Sequence, residues 1–350
     1  MAGFNKQWQS IPTPELLKFF LSNKENGLSN ADAVTRIKKL GDNSISYFPD
    51  VVWGLLQSTL LRDGKKTKIK NNLIALGDIV MLEKNKIVPA DIRLIEVDNL
   101  SVNQSLLNGS EAILYKNSNT FHSSYDSIFD IKNMVFAGTG IVSGRAIGIV
   151  VASGGNSQIS KIEKHSPKLS RKQKKANKIL KNNGIITNEY GNYVAPKSID
   201  TVIVNFPVSI DYVKELIRVI SHQMGKNIIF CTDESTAKRL IAITPGMAHI
   251  DKKYFQQKSN KALMEADYPL MSFISVNEAD IIRFSKILNI KNRRAICLDS
   301  GNSALLASSD ITTIVSADTA TDESILKASY LVNSFQDMKK IISQIGLIMG

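Results

Sequence analysis

Cysteine is almost missing from this chain of 350 residues: there are two, Cys231 and Cys297. Each lies in an apolar run, with no partner at the spacing of a metal-ligand motif. That excludes a disulfide framework and a structural zinc site, and it fits a reducing compartment. No metal-binding cluster is expected. Long apolar runs are missing as well. No stretch approaches the ~18–20 apolar residues needed to cross a bilayer. The nearest, residues 51–61 and 147–152, are short and contain glycine or polar side chains. The first residues carry Trp8, Pro12 and Pro14 where a secretion signal has its apolar core. These absences point to a cytoplasmic chain. What is present is a globular composition, 43% hydrophobic and 22% charged, with length for two or three domains of sizeable core.

The positive charge is concentrated. Residues 161–181 hold nine Lys or Arg and one acid, Glu163, a net +8 within a chain total of +12. This block separates a Val/Ile/Gly-rich half from a half in which strand and helix patterns alternate. It reads either as a solvated linker or as a basic patch of Lys168, Arg171, Lys172, Lys174, Lys175 and Lys178. Such a patch meets anionic lipid at ~1 kcal/mol per cation near the surface. Aromatics that stack on bases are absent from it, which ranks nucleic acid below the other two readings.

Periodicity predicts an α/β chain in several parts. Residues 1–59 form a small helical segment: Thr13-Pro14 opens one helix, and Ser29 with Asp32 opens a second that stops at Gly41. Residues 60–162 read as a β domain of short alternating runs punctuated by Gly, Asn and Pro. After the basic linker, 163–181, residues 182–350 alternate apolar strands (201–206, 227–231, 294–298, 311–315) with amphipathic helices near 211–224 and 281–288 and a last helix over 338–345. That alternation implies a parallel sheet with helices on both faces, and active residues at the carboxyl ends of its strands.

Several segments carry a family resemblance in sequence order. GLSNADAVTRIKKLGDN, LLRDGKKTKI, LGDIVMLEKNKIVPADIRLIE, NLSVNQSLLNGSEAI and NMVFAGTGIVSGRAIGIVVASGG are similar to the N-terminal segment and actuator domain of cation-transporting P-type ATPases. Gly77-Asp78, Pro89-Ala90-Asp91, Gly138-Thr139 and Ser143-Gly144-Arg145 carry that match. KNNGIIT resembles the family's phosphorylation loop, Asp-Lys-Thr-Gly-Thr-Leu-Thr, with Gly184 and Thr187 in register. The resemblance implies a haloacid-dehalogenase-like, Rossmann-like domain for residues 182–350.

The same alignment implies that the catalytic positions are degenerate. Lys181 stands at the phosphorylated aspartate, and an ammonium cannot form an acyl phosphate. Asn108-Gly109-Ser110-Glu111 replaces Thr-Gly-Glu-Ser, so Ser110 takes the place of the water-positioning glutamate. Serine is no general base near neutral pH. In IIFCTDESTAKRL only Asp233 remains of the Thr-Gly-Asp motif. In ICLDSGNSALLASSDI, Asp299 and Asn302 persist, and Ser303 replaces the second magnesium aspartate. Asp280 falls where the phosphate-neutralising lysine belongs. Only about a dozen residues separate Thr187 from the strand at Thr201, so no nucleotide-binding insertion lies between them. The family's membrane helices, expected before Leu60 and between Ile162 and Lys181, are not present either.

The reading these residues support is a pseudoenzyme with no catalytic residue and no cofactor, which does not bind ATP. It is expected to act as a scaffold or regulator by binding a macromolecule. The expected partner is a protein, with a membrane protein or an anionic membrane surface among the candidates, and attachment to the membrane is expected to be peripheral. The rival reading is a residual haloacid-dehalogenase-type phosphatase using Asp233 or Asp299.

Overall fold

The computed structural model describes residues 7–48, 50–122, 127–162, 178, 182, 184–187, 199–223, 227–265, 270–290, 294–301, 304–308 and 311–338. The chain divides into two compact units, Met1–His165 and Ser166–Gly350.

The first unit opens with α1 (Thr13–Phe19), α2 (Asn30–Leu40) and α3 (Asp50–Trp53). The expected cap of α2 is present. Ser29 Oγ accepts from the Asp32 amide at 3.0 Å, and Gly41 closes the helix at φ 94°. The sheet that follows contains β1 (Gln57–Arg62), β2 (Lys65–Lys70), β3 (Ile79–Glu83), β4 (Asp91–Asn103), β5 (Ile113–Tyr115), β6 (Met134–Val135) and β7 (Gly140–Ala152). Its order is β2-β1-β3-β7-β4-β5, with β6 against β4, and these pairings are antiparallel. β1 and β2 form a hairpin through Asp63 and Gly64, both at positive φ, the backbone that matches the twist of a two-residue turn. Gly148 sits at a close approach of β4 and β7: a Cβ there would lie 2.3 Å from Ile92 Cγ2.

Strand alternation gives this sheet two apolar faces. Leu60, Val80, Ile92 and Val150 pack on one face. Leu61, Ile79, Ile149 and Val151 pack on the other, where Leu16 and Phe20 of the N-terminal segment join them. The segment therefore shares a core with the strands. Asn43 fixes it further. This fully buried amide donates to the carbonyls of Asn71 and Pro89, each at 2.8 Å, and accepts from the Gly154 amide at 2.8 Å. Trp53 donates to the Asn43 carbonyl and stacks on Phe48 with ring centroids 5.0 Å apart. A buried ion pair, Arg62 with Asp78, ties β1 to the turn before β3, and the Ala75 amide donates to the same carboxylate.

The second unit is a sheet of eight described strands: β8 (Ile185–Thr187), β9 (Ile199–Asn205), β10 (Asn227–Thr232), β11 (Ala248–Asp251), β12 (Leu270–Ile274), β13 (Arg294–Asp299), β14 (Thr312–Ser316) and β15 (Tyr330–Val332). The order is β11-β12-β10-β9-β13-β14-β15-β8. Its strands run parallel except β8, which pairs antiparallel with β15 at the edge. The apolar runs expected at 201–206, 227–231, 294–298 and 311–315 correspond to β9, β10, β13 and β14. β11, β12 and β15 complete the sheet, and the described part of the expected last helix reaches only Met338. Helices cover both faces. Val202 and Val204 face α5 (Ile210–Gln223) through Val213 and Leu216. Ile203 faces α9 (Glu278–Ile290) through Ile281, Phe284 and Leu288. Between these helices in sequence lie α6 (Glu234–Ile243), α7 (Lys252–Gln257) and α8 (Asn260–Glu265). A strand buried on both faces has no polar side to show, which is why β9 reads as a nearly continuous apolar run.

Candidate functional site

In the first unit the loop of interest follows β4. Gln104 is buried and donates to the Phe129 carbonyl, which anchors the start of a single helical turn, α4 (Ser105–Asn108). Gly109 ends that turn in the left-handed region, φ 72°, with its amide on the Ser105 carbonyl. Asn108 then bends the chain by accepting the Ser110 amide at 3.0 Å. Ser110 Oγ accepts the Ala112 amide at 3.3 Å. Residues 108–112 are exposed. The loop thus has a defined shape and an exposed tip, with a hydroxyl at position 110. Glu111, one residue on, is exposed too.

In the second unit the carboxyl ends of the parallel strands converge on a cavity of about 250 Å³. β9 ends in Asn205, β10 in Thr232 and β13 in Asp299. The register sets Asn205 directly beside Asp299, and Asn205 Nδ2 donates to Asp299 Oδ1 at 3.0 Å. Asp299 is fully buried. Burial pushes its carboxyl above the ordinary carboxylate range, against the pull of the Asn205 and Gly301 donors. Desolvation, with Asp299 as a neighbour, also pushes the Cys231 thiol up to about 12, so it is no thiolate nucleophile at neutral pH.

Asp233 has a different task. It caps α6, accepting from the Thr236 amide at 2.9 Å, Thr236 Oγ1 at 2.8 Å and Ser235 Oγ at 2.6 Å. These donors hold its carboxylate well below the ordinary range. Asp280 is likewise a capping residue. Its carboxylate accepts the Asn277 amide, and Asn277 Oδ1 accepts the Asp280 amide, the reciprocal pair that opens α9. It does not line the cavity.

The structure brings Asp233 to the cavity wall and sets Asp299 against its lining residue Asn205. Lys181, Asn302 and Ser303 lie outside the described residues, as do Lys168, Arg171, Lys172, Lys174 and Lys175; Lys178 is a helical, exposed residue. Of the KNNGIIT segment, residues 182 and 184–187 are described. Residues 185–187 form the edge strand β8, four strands from β9 in the sheet order, which is ~19 Å at ~4.8 Å per strand. The strand between β10 and β13 is β9, and the residue at its carboxyl end is Asn205. The signal for Asn205 was visible in the sequence as the polar residue that ends the run TVIVNFP. Without strand order, nothing singled it out from the ends of the other strands.

Comparison with known proteins finds a likeness within the first unit. Residues 56–166 match the family model of the P-type ATPase actuator domain. This segment is similar to a P-type ATPase actuator domain. Calcium-transporting ATPase 1 of Bacillus cereus is 41% identical over 106 residues, 29% of this chain and 12% of that protein. Sodium/potassium exporting P-type ATPase 1 of Saccharomyces cerevisiae is 36% identical over 107 residues, 30% and 10% of the two chains. P-type sodium-transporting ATPase4 of Plasmodium falciparum is 31% identical over 145 residues, 41% and 11%. The matched region is thus about a tenth of the length of these relatives. Among the described residues, no helix is long and apolar enough to cross a membrane. The exposed loop at 108–111 lies within the matched segment, and the cavity lies beyond it.

Proposed function

We propose that this chain is a catalytically inactive relative of P-type ATPases, whose second domain is phosphorylation-like, of the haloacid-dehalogenase type. It acts as a scaffold or regulator through macromolecular binding. The observation that carries this reading is Asn205 at the carboxyl end of the strand between β10 and β13, with its amide bonded to Asp299. A carboxamide is no nucleophile toward a phosphoryl group, and acyl-phosphate chemistry needs a carboxylate. Ser110 supports the same conclusion from the actuator domain, because phosphoryl transfer rests on positioning and charge, and a serine hydroxyl supplies no base there. The phosphatase alternative draws no support from the two remaining carboxylates. Asp233 is occupied by three capping hydrogen bonds, and Asp299 is buried and amide-bound.

The partner this reading favours is a membrane protein or an anionic membrane surface, met from the cytoplasm through the basic segment before Asn182, with peripheral rather than spanning attachment. Nucleic acid ranks lower. Calorimetric titration of the whole chain with magnesium-ATP should give no saturable heat. A micromolar dissociation constant, or phosphate release abolished by Asp299→Asn, would overturn the proposal.

A further inference from the structure

We propose that the cavity at the carboxyl ends of β9 and β10 binds an ammonium or guanidinium group carried on a short aliphatic chain. This goes beyond the inactive-relative reading and stands on the charge and shape of the cavity alone. Asp233 lines it, and among the described lining residues none is cationic. Three donors fix the Asp233 side chain and keep it ionised across physiological pH. A carboxylate offers about four acceptor positions, so three internal hydrogen bonds leave one for a ligand, and the only ligand group it can accept from is a donor.

Helix α6 begins at the same wall, and a bare helix start attracts anions. Here that attraction is already spent. The Thr236 amide is donated to Asp233, and Glu234 in the first turn is paired with Lys238 outside the lining. A phosphate or carboxylate entering the cavity would lie against Asp233, and the described lining offers no cation to offset it. A cation meets a fixed opposite charge, and Asn205, Thr232 and Ser300 add neutral polar groups to the lining.

The remaining wall selects the rest of the ligand. Phe206, Val208 and Val276 line the cavity with carbon, a surface for methylenes, as when lysine and arginine lay their stems on apolar side chains. The site is open to solvent, and about 250 Å³ leaves room for a short aliphatic chain with its charged head. Two sources share this chemistry, a free amine and the side chain of a partner's lysine or arginine.

The test is a titration of the full chain with butylammonium chloride, followed by amide NMR shifts at Thr232, Asp233 and Thr236. Butanol, butyrate and inorganic phosphate serve as the neutral and anionic counterparts. Butylammonium should shift these amides saturably, and the other three should not. Asp233→Asn keeps a good helix cap and should weaken binding roughly tenfold, the loss of one charge-assisted hydrogen bond. Glu234→Gln, on the same helix but outside the cavity, should leave binding unchanged. Competition by a blocked lysine peptide as well as by spermidine points to a protein side chain, and competition by spermidine alone points to a free amine. Saturable binding of butyrate or phosphate overturns the proposal. So does equal butylammonium affinity in Asp233→Asn, or an equal loss in Glu234→Gln. A response of the same amides to magnesium-ATP would instead count against the inactive reading, so the two failures are distinguishable.

Discussion

Replacing Lys116 by methionine should stabilise the first unit at neutral pH and remove part of its dependence on alkaline pH. Lys116 is 7% exposed, and its Nζ donates to the Ile131 carbonyl at 3.0 Å. Burial lowers its pKa from the ordinary 10.5 to about 8, although Asp130 pulls the other way. At ~1.4 kcal/mol per pH unit, the charged form therefore carries a penalty of about 3 kcal/mol at pH 7. Between about 8 and 10.5 the unfolded chain binds more protons at this site than the folded one. Stability contributed by the site therefore rises with pH through that window and is lowest below it. Methionine has no charge to desolvate, but it leaves the Ile131 carbonyl without its donor, at ~1 kcal/mol. The variant should gain ~2 kcal/mol at pH 7 and become about 1 kcal/mol less stable than the parent above pH 10.5. Both tryptophans, Trp8 and Trp53, belong to this unit, so urea unfolding followed by tryptophan fluorescence at several pH values reports on it selectively. A difference between parent and variant that stays constant with pH, or a variant less stable at pH 7, would refute the reasoning.

Asn43→Ala removes three buried side-chain hydrogen bonds and leaves the Gly154 amide unpaired. The expected loss is ~3–4 kcal/mol, read as a lower urea midpoint by the same fluorescence. Asn205→Asp places a second carboxyl about 3.0 Å from Asp299. Like charges at that range oppose ionisation, so the destabilisation should be larger at pH 8 than at pH 5 in thermal melts. ATP should leave no acid-stable radiolabel on this variant. Changing Arg171, Lys172, Lys174 and Lys175 to Gln should remove most co-sedimentation with anionic vesicles. Binding by the parent should fall steeply with salt, as the Debye length shrinks from ~10 Å at 0.1 M to ~3 Å at 1 M. Equal sedimentation of parent and variant would leave the segment as a solvated linker.

Local features were legible in the residues because local physics sets them. The Ser29 cap and the Gly41 stop depend on groups within one helical turn. The Asn108-Gly109 bend depends on a side-chain acceptor and a left-handed backbone at adjacent positions. Leu60 and Leu61 fall on opposite faces because a strand alternates. The motifs of the actuator segment stood out because they occur in order over a hundred residues. By contrast, the role of Asp280 in opening α9 was hidden behind an alignment to a lysine, although Asn277 three residues earlier is a good cap by its own chemistry.

By itself, then, the sequence determined the helical start and β character of the first unit, four strands of the second sheet with helices on both its faces, and a resemblance to the actuator domain that the family model matches over residues 56–166. Only the tertiary structure decided which strand is central. Buried parallel strands read alike, as short apolar runs, and nothing in a run of Val and Ile states its place in a sheet. Strand order depends on crossovers and on helix packing over long separations. That order put β9 between β10 and β13, carried residues 185–187 to the edge, and set Asn205 against Asp299 across 94 positions of chain. It also turned Asp233 into a fixed negative charge on a cavity wall, because the cavity exists only where strand ends far apart in sequence meet.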